Sequence, residues 1–587
     1  MATMDWGSDV VAAVLRSLDL KYAALVPGAS YRGLHDSIVN YLGNENPEML
    51  LCLHEEHSVA IAHGYAKVTG KTMLAVVHSN VGLMHATMAI FNAWCDRAPV
   101  LILGANGPVD AMKRRPWIDW IHTSQDMGAL VRSYTKWDDQ PGSPGAAIES
   151  ILRARQIAET APNGPTFVVL DAAVQEQRLD APLAIPSPEK FAVPHEAVPS
   201  KEDVEAVLKA LRGAKHPVII AGRCALSVES WNERVALAEA FNARVVTRTG
   251  AMFPTDHPLH AGMAGRPTAA KALRESDVIL DLDVLDLGGV LKQAKIEGTP
   301  IVISCSVDRF IHNGWSMDYQ MLPAVDLSIG AVPDTLVSAL VAALGHPKPA
   351  AQRPHVSAAP SKNGNGAAAA GSIISIDAFS SEVARALDGV EACISRLPQG
   401  VDERYFTWRH PLDYLGGGGG GGLGGGPGIA VGVGLALRGT SRVPVAVTGD
   451  GDFLMGVTAL WTAVASKIPL LVIVANNRSY FNDEVHQEHL AIARGRDPKR
   501  KWIGQRIDGP APDLAGFARV QGAIGIGPIE ARDGIGPAIA EGLKHVRDGK
   551  VCVVEVIVAA EYGEGKAAGI TENEPAAATR GGNFTRG

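Results

Sequence analysis

The segment RVPVAVTGDGDFLMGVTALWTAVASKIPLLVIVANN, residues 442–477, decides the fold. An apolar run ends at Gly449-Asp450-Gly451, a helical pattern covers 454–467, and a second apolar run ends at Asn477. Two buried strands joined by a helix form a βαβ unit, in which both strands run in the same direction. We therefore expect Asp450 and Asn477 to meet at the carboxyl edge of a parallel sheet, where such folds bind ligands.

Asp450 and Asn477 together offer a carboxylate and an amide oxygen. Mg²⁺ favours such a small set of hard-oxygen ligands when phosphate oxygens and water complete its octahedron. The neighbouring glycines let backbone N–H groups approach a diphosphate. The pattern therefore predicts a magnesium–diphosphate site, and the alternative is a tight turn followed by an ordinary Asn-Asn loop.

The alternation of short apolar runs and helical patterns extends over most of the 587 residues. It predicts an α/β protein with three doubly wound parallel-sheet domains, at 1–185, 198–345 and 373–562. Residues 346–372 are rich in Pro, Ala, Asn and Ser, which favours an interdomain linker. Residues 563–587 have the composition of a disordered tail.

Composition excludes several classes of function. The chain is 47% hydrophobic and 20% charged, with a net charge of −8, so it has material for several cores and no basic excess to hold nucleic acid or anionic lipid. No apolar run reaches the roughly 18 residues of a membrane span, and the first residues carry no basic signal region. The six cysteines are scattered, without a CxxC pair. We expect a cytoplasmic protein with reduced thiols that does not bind a membrane.

The GDG of 449–451 with an Asn-Asn pair about thirty residues later resembles the motif of thiamine diphosphate-dependent enzymes. The resemblance implies pyrimidine-binding, central and diphosphate-binding domains in chain order, with thiamine diphosphate and Mg²⁺ as cofactors. It implies that the Mg²⁺ ligands are Asp450, Asn477 and the main-chain carbonyl of Ser479. Further contacts to the cofactor are expected from residues of the same two strand ends, namely Gly449, Gly451, Asp452 and Tyr480.

The segment LHEEHSVAIAHGYAKVTGK, residues 53–71, resembles the part of these enzymes that holds the catalytic glutamate. Aligned on Gly64-Tyr65-Ala66, that glutamate falls on Glu55. It would hydrogen-bond the aminopyrimidine and promote the imino tautomer, whose nitrogen removes the thiazolium C2 proton. Glu56 fits a helix-start acid favoured by the helix dipole.

Residues 416–428, GGGGGGGLGGGPG, hold eleven glycines in thirteen positions and form the glycine tract. Composition alone is typical of a flexible linker. The resemblance instead implies a cofactor loop, in which Leu423 would wedge between the two cofactor rings. Gly422 and Gly424 would then contact the cofactor through their backbones.

The turn VVHSNVG resembles benzoylformate decarboxylase and implies that His78 faces the substrate as a proton donor or acceptor. A histidine bonded to a loop carbonyl is the alternative. Ser30 lies near the place of a substrate-binding serine, although strict alignment puts Ala29 there. No histidine lies near 280–289, where those decarboxylases carry a second catalytic one.

Asn482 and His486 are spaced i, i+4 on one helix face, which is apolar in benzoylformate decarboxylase. This favours a polar substrate over a plain aromatic 2-oxo acid, unless both side chains face solvent. The basic segment 494–506 is either a solvated loop or a cover that binds an anionic group.

We expect a lyase that cleaves or forms a C–C bond on a 2-oxo acid or a 2-hydroxy carbonyl compound, as a decarboxylase or carboligase. An acetolactate synthase-like acyl transferase and a 2-hydroxyacyl-CoA lyase are the alternatives, and a non-enzymatic regulatory homologue is a third. The resemblance also implies a homodimer or dimer of dimers with sites at the subunit interface. No flavin-contacting segment is recognised, so FAD is not expected.

Overall fold

The computed structural model describes residues 3–308, 323–347 and 373–562. These ranges contain three parallel sheets, each with a hydrophobic core on either face. The prediction of three doubly wound α/β domains is thereby confirmed. The expected tail, and all but two residues of the expected linker, lie outside the described residues.

The N-terminal domain holds a sheet of six strands in the order β2-β1-β3-β4-β6-β5. Successive residues of β3 point into opposite cores, as the two-residue period of a strand requires. The strands are β1 Tyr22–Leu25, β2 Glu48–Leu51, β3 Met73–Val77, β4 Val100–Asn106, β5 Trp137–Asp139 and β6 Thr166–Asp171. The helices are α1 Gly7–Ser17, α2 Arg32–Asp36, α3 Glu55–Thr69, α4 Ser79–Cys95, α5 Ile118–Ile121, α6 Pro144–Glu159 and α7 Ala172–Gln175.

The central domain repeats this plan with the strand order β12-β11-β10-β7-β8-β9. Its strands are β7 Pro217–Ala221, β8 Arg244–Thr247, β9 His260–Met263, β10 Val278–Leu282, β11 Ile301–Cys305 and β12 Leu327–Ile329. Its helices are α8 Lys201–Gly213, α9 Val228–Ala240, α10 Pro267–Arg274, α11 Leu287–Ala294 and α12 Pro333–Ala343.

The C-terminal domain has five strands in the order β13-β14-β15-β17-β16. The strands are β13 Ala392–Ile394, β14 Val443–Gly449, β15 Leu470–Asn476, β16 Ile524–Ile529 and β17 Val551–Ile557. The helices are α13 Ile376–Leu387, α14 Gly425–Ala436, α15 Asp450–Gly456, α16 Ala459–Ala465, α17 Phe481–Ala493, α18 Leu514–Val520 and α19 Arg532–Arg547. The prediction of a single helix over 454–467 is wrong. Two helices, α15 and α16, cover this part of the chain, and residues 457–458 separate them.

The N-terminal and C-terminal domains pack against each other within the chain, through α3 and α14. A methyl group added at Gly64 would lie 2.0 Å from the carbonyl oxygen of Ile429, and one added at Gly432 equally close to that of Ile61. Small residues therefore let the two helix backbones approach closely. The same contact brings the carboxyl edge of β2 next to the glycine tract. The resemblance implied sites at a subunit interface, and the structure brings these two domains together within one chain.

Candidate active site

Glu55 is the first residue of α3 and is buried just beyond the carboxyl end of β2. Its Oε2 lies 3.1 Å from Nδ1 of His85, on α4. Its other oxygen rests against Gly82, where an added methyl group would lie only 2.9 Å from Glu55 Oε1. The structure thus fixes the Glu55 carboxylate between a helix start, a glycine and an imidazole.

Asp450 is the first residue of α15 and is buried at the carboxyl end of β14. Its two oxygens accept the backbone N–H groups of Gly451, at 2.9 Å, and Ser479, at 3.1 Å. Burial raises the pKa of Asp450 to about 6, although backbone N–H groups, among them those of Gly451 and Ser479, act to lower it. A buried carboxylate of this kind is stabilised by a bound cation.

Asn477 follows β15, which pairs in parallel with β14, so the two strand ends lie side by side. Its Oδ1 accepts the N–H of Ser479 at 2.9 Å, the same N–H that Asp450 contacts. Asp450, Asn477 and Ser479 are therefore brought together as the sequence predicted. Behind them, Ser479 Oγ donates to the buried Glu484 at 2.6 Å, and Arg506 Nε donates to the same carboxylate at 3.1 Å.

The donor set at this edge fits Mg²⁺ and a diphosphate. The Asp450 carboxylate and the Asn477 amide oxygen are hard ligands, and the Ser479 carbonyl belongs to the same turn. Gly451 lies against the Tyr480 ring, where an added methyl group would approach to 2.6 Å, so only glycine fits there. Gly449 has open space around it, which leaves room for a bulky ligand.

The glycine tract is packed against α4 and is held by side chains of the N-terminal domain. The N–H of Gly419 donates to Asp96 at 3.1 Å, and the N–H of Gly420 donates to Asn92 at 2.9 Å. Lys67 Nζ donates to the carbonyl of Gly417 at 2.7 Å and to Asp96 at 2.7 Å. Burial alone would raise the pKa of Asp96, but Lys67 and His63 lower it below its ordinary value. The glycine tract is therefore fixed by hydrogen bonds to the N-terminal domain and does not behave as a flexible linker.

Leu423 lies where the tract passes between the two domains, and its side chain is 39% exposed. Neighbouring Gly422 packs against Met88 of α4, and Gly424 against Met455 of α15. The N–H of Gly424 also donates to Asp452 at 2.8 Å. The structure therefore places Leu423 between two glycines that contact α4 and α15, and its role as a wedge stays a prediction.

Glu56 was predicted to be only a helix-start acid, yet it too faces the glycine tract. Burial and the nearby Asp452 carboxylate raise the pKa of Glu56. Its Oε1 is buried and has no hydrogen-bond donor within the described part of the chain. A bound ligand with N–H groups, such as an aminopyrimidine, would supply that donor. Sequence reasoning missed this position because Glu55 alone matches the motif.

His78 lies at the end of β3 and begins α4, with its Nδ1 2.8 Å from Ser30 Oγ. Gly28 makes room for it, since an added methyl group would lie 2.3 Å from the ring. The partner of His78 Nδ1 is thus the hydroxyl of Ser30 rather than a loop carbonyl. Burial, and then the imidazole of His122, lower the pKa of His78, which keeps the ring neutral at neutral pH.

His122 was not singled out from the sequence. Its ring lies 4.7 Å from that of His78, edge to face. It follows α5, whose turn is held by an ion pair of Arg115 with the buried Asp119 at 2.8 Å. No second histidine was found near 280–289, but the N-terminal domain itself supplies one beside His78. No sequence pattern pointed to His122, because α5 follows a loop that has no regular periodicity.

The face of α17 that carries Asn482 and His486 is less enclosed than expected. On α17, Asn482 Oδ1 accepts the hydroxyl of Tyr562 at 2.6 Å, and His486 is exposed. The basic segment 494–506 is mostly exposed as well, but Arg506 pairs with Glu484 behind Ser479 and Lys501 pairs with Glu488 of α17. The carbonyl of Gln505 also accepts the N–H of Tyr480 at 2.9 Å. Whether Asn482 and His486 contact a substrate stays a prediction.

No helix among the described residues is long and apolar enough to cross a membrane. Three family models match the chain in order. They are the N-terminal TPP binding domain of thiamine pyrophosphate enzymes at residues 5–129, the central domain at 204–282 and the C-terminal TPP binding domain at 399–556.

Among curated proteins, the acetolactate synthase large subunit of Lactococcus lactis is 28% identical over 51% of this chain and 52% of its own length. The chain thus spans about half the length of that relative. The sulfoacetaldehyde acetyltransferase of Alcaligenes xylosoxydans xylosoxydans is 22% identical over 87% of both chains.

The fold is similar to that of a thiamine diphosphate-dependent 4-hydroxybenzoylformate decarboxylase from Rhodococcus jostii RHA1. The TM-score is 0.75 at 21% identity, over 95% of this chain and 100% of that one. Benzoylformate decarboxylase from Polynucleobacter necessarius gives 0.75 at 19% identity, over 95% and 100%. With three successive domains matched, the chain belongs to the thiamine pyrophosphate-dependent enzyme superfamily.

Proposed function

We propose that this protein uses thiamine diphosphate and Mg²⁺ to cleave or form a C–C bond next to a carbonyl group. The substrate would be a 2-oxo acid or a 2-hydroxy carbonyl compound. The observation that carries the proposal is the convergence of Asp450 and Asn477 on the Ser479 N–H at one sheet edge. Those two side chains and the Ser479 carbonyl would hold Mg²⁺, and the Gly449–Gly451 turn would hold the diphosphate.

When bound, thiamine diphosphate supplies an electron sink for the pair released as the C–C bond breaks. Glu55 would hold and return a proton at its carboxylate, beside the pyrimidine ring. Its burial supports this role, because a hydrogen bond between the Glu55 carboxyl group and a fixed partner is stronger where water is excluded. Leu423 would exclude water from the seam and orient the rings.

His78 and Ser30 would bind the reacting carbonyl or carboxylate group of the substrate. A neutral imidazole that is held by a hydroxyl can accept a proton and later return it near neutral pH. His122, packed on His78, would restrict the motion of that ring. His78 and Ser30 would therefore support proton transfer at the reacting carbon of the substrate.

Acyl transfer is the second candidate. It is supported by the match to a sulfoacetaldehyde acetyltransferase over 87% of both chains. The two reactions share their first bond cleavage and differ in whether a proton or an acceptor captures the acyl carbon.

We also propose a homodimer, or a dimer of such dimers, in which α3 and α14 pair between chains. Since this contact joins two domains, an exchanged C-terminal domain of a second chain can make it equally well. Exposed Met112, Trp117 and Trp120, the last two at 70% and 78%, support an assembly larger than one chain. Mixing Glu55→Gln with Asp450→Ala protein should then restore up to about a quarter of the wild-type sites after subunit exchange. No restored activity with proven exchange would place each site within one chain.

The function is tested by a substrate panel with purified protein. Release of CO₂, aldehyde and acyl products is measured with 2-oxo acids, acyloins and 2-hydroxyacyl-CoA thioesters, each with and without aldehyde or inorganic phosphate as acceptor. We expect turnover that requires both thiamine diphosphate and Mg²⁺. Binding of the cofactor without turnover of any of these three classes would contradict the proposal.

A further inference from the structure

His85 is the side chain that connects the buried Glu55 to solvent. Its Nδ1 lies 3.1 Å from Glu55 Oε2, and 59% of the His85 side chain is exposed against 10% for Glu55. Each passage of a proton through Glu55 must be balanced by exchange with bulk water. Because the Nδ1 edge of the imidazole meets the carboxylate and much of the rest of the side chain meets water, His85 is placed for that exchange.

The His85 ring is held in this orientation by His54. The two rings stack at 4.9 Å with an interplanar angle of 16°. His54 is itself fixed, because its Nδ1 accepts the N–H of Glu56 at 3.2 Å as the cap of α3. Burial, and then the neighbouring His85, lower the pKa of His54. The stack therefore holds the His85 ring beside Glu55, next to a ring whose pKa is lowered.

The other titratable groups that face Glu55 are poor proton carriers at neutral pH. Burial raises the pKa of Cys52 to about 12 and also raises that of Tyr31. His78 is engaged by Ser30. His54 has its Nδ1 occupied as a helix cap. Among these neighbours, His85 alone combines a hydrogen bond to Glu55 with access to water.

We propose that His85 is a positioning residue that relays protons between solvent and Glu55. The inference rests on the proposed function. When Glu55 gives up a proton to the cofactor ring, His85 passes the proton on Nδ1 to Glu55 Oε2 and takes one from water at Nε2. The reverse transfer returns the proton to water, so no net charge or atom is gained over a cycle.

The first test follows exchange of the C2 proton of bound cofactor for deuterium, as a function of pH. His85→Gln keeps an N–H donor near Glu55 but cannot take up a proton, so exchange should slow about 10- to 100-fold and lose one ionisation from its pH profile. His85→Ala should slow similarly and recover with added imidazole, because the vacated position opens to solvent. His545→Gln is the matched control, since His545 pairs with Glu541 at 3.7 Å on α19. It should behave as wild type.

The second test uses the protein without cofactor and does not depend on activity. In ¹⁵N-histidine-labelled protein, long-range NMR correlations report which ring nitrogen of His85 carries the proton. We expect Nδ1–H in the wild type and a shift towards Nε2–H in Glu55→Ala, with His545 unchanged. Two results would overturn the proposal. One is a His85 tautomer that is the same in Glu55→Ala as in the wild type, and the other is C2-proton exchange in His85→Gln with the wild-type rate and pH profile. Failure to bind thiamine diphosphate would instead contradict the proposed function, and the NMR result would still decide the His85–Glu55 contact.

Discussion

Glu55 and Asp450 occupy the same place in two similarly built domains. Each is buried and is the first residue of a helix that follows a parallel strand. Their partners differ, because Glu55 contacts the solvent-reaching His85 whereas Asp450 accepts two backbone N–H groups. The sheet edge fixes where a carboxylate lies, and its partners decide whether it is suited to exchange protons or to hold a cation.

Between the two carboxylates runs the glycine tract, which touches both domains. Its N–H groups contact Asp96 and Asn92 of the first domain and Asp452 of the third. The tract is therefore hydrogen-bonded to both domains. Replacing either carboxylate should leave the fold intact. Loss of Glu55 should remove the proposed proton exchange, and loss of Asp450 should remove the proposed cation site.

The largest effect is expected from removing Asp450, the carboxylate that we propose as a cation ligand. Asp450→Ala should weaken binding of Mg²⁺-thiamine diphosphate about 100-fold or more, because the diphosphate charge loses a neutralising ligand set. Calorimetric titration measures this loss. Asp483→Ala, an exposed acid on α17, is the control and should bind normally. Equal affinities for wild type and Asp450→Ala would refute the assignment of Asp450.

A smaller effect is expected from the double variant Asn482→Ala, His486→Phe, which makes the start of α17 apolar at a face that we predict to meet the substrate. Losing hydrogen-bond partners costs about 1–3 kcal/mol per unpaired group. The native substrate should lose roughly tenfold to a hundredfold in kcat/KM, while an aromatic 2-oxo acid loses less or gains. Steady-state kinetics on both substrates make the comparison. Equal losses on both would show that this face does not select the substrate.

The smallest effect concerns the pH dependence set by His78. Burial and His122 lower the pKa of His78, so we expect the acid limb of kcat/KM to lie below the ordinary histidine pKa. His122→Gln removes the second cause, which should raise the pKa of His78 and move the acid limb to higher pH. His35→Gln, on α2, should leave the limb in place. If the acid limb of kcat/KM in His122→Gln stays at the wild-type pH or moves to lower pH, His122 does not lower the pKa of His78.

The strand ends of the site could be predicted from the sequence because they follow from periodicity. Residues 442–477 alternate apolar runs with a helical pattern, and parallel pairing then places Asp450 beside Asn477. The contact of His85 with Glu55 could not be predicted, because it depends on how α4 is rotated against α3. For the same reason the sequence did not show that Glu56 faces the glycine tract.

Low-complexity composition was equally ambiguous at two places. Residues 346–372 and the glycine tract both have the composition of a linker. The tract is nevertheless packed, because Asp96, Asn92 and Lys67 on the other domain bond its backbone. Partners that lie more than 300 residues away leave no mark in the local sequence.

The central claim is that Glu55, rather than the adjacent Glu56, is the proton-exchanging carboxylate. The most direct measurement is the exchange rate of the C2 proton of bound thiamine diphosphate in wild type, Glu55→Gln and Glu56→Gln at saturating cofactor. We predict that Glu55→Gln retains the cofactor but exchanges at least about 100-fold more slowly, whereas Glu56→Gln stays within a few-fold of wild type. Wild-type exchange in Glu55→Gln, or a slower rate in Glu56→Gln than in Glu55→Gln, would contradict the account.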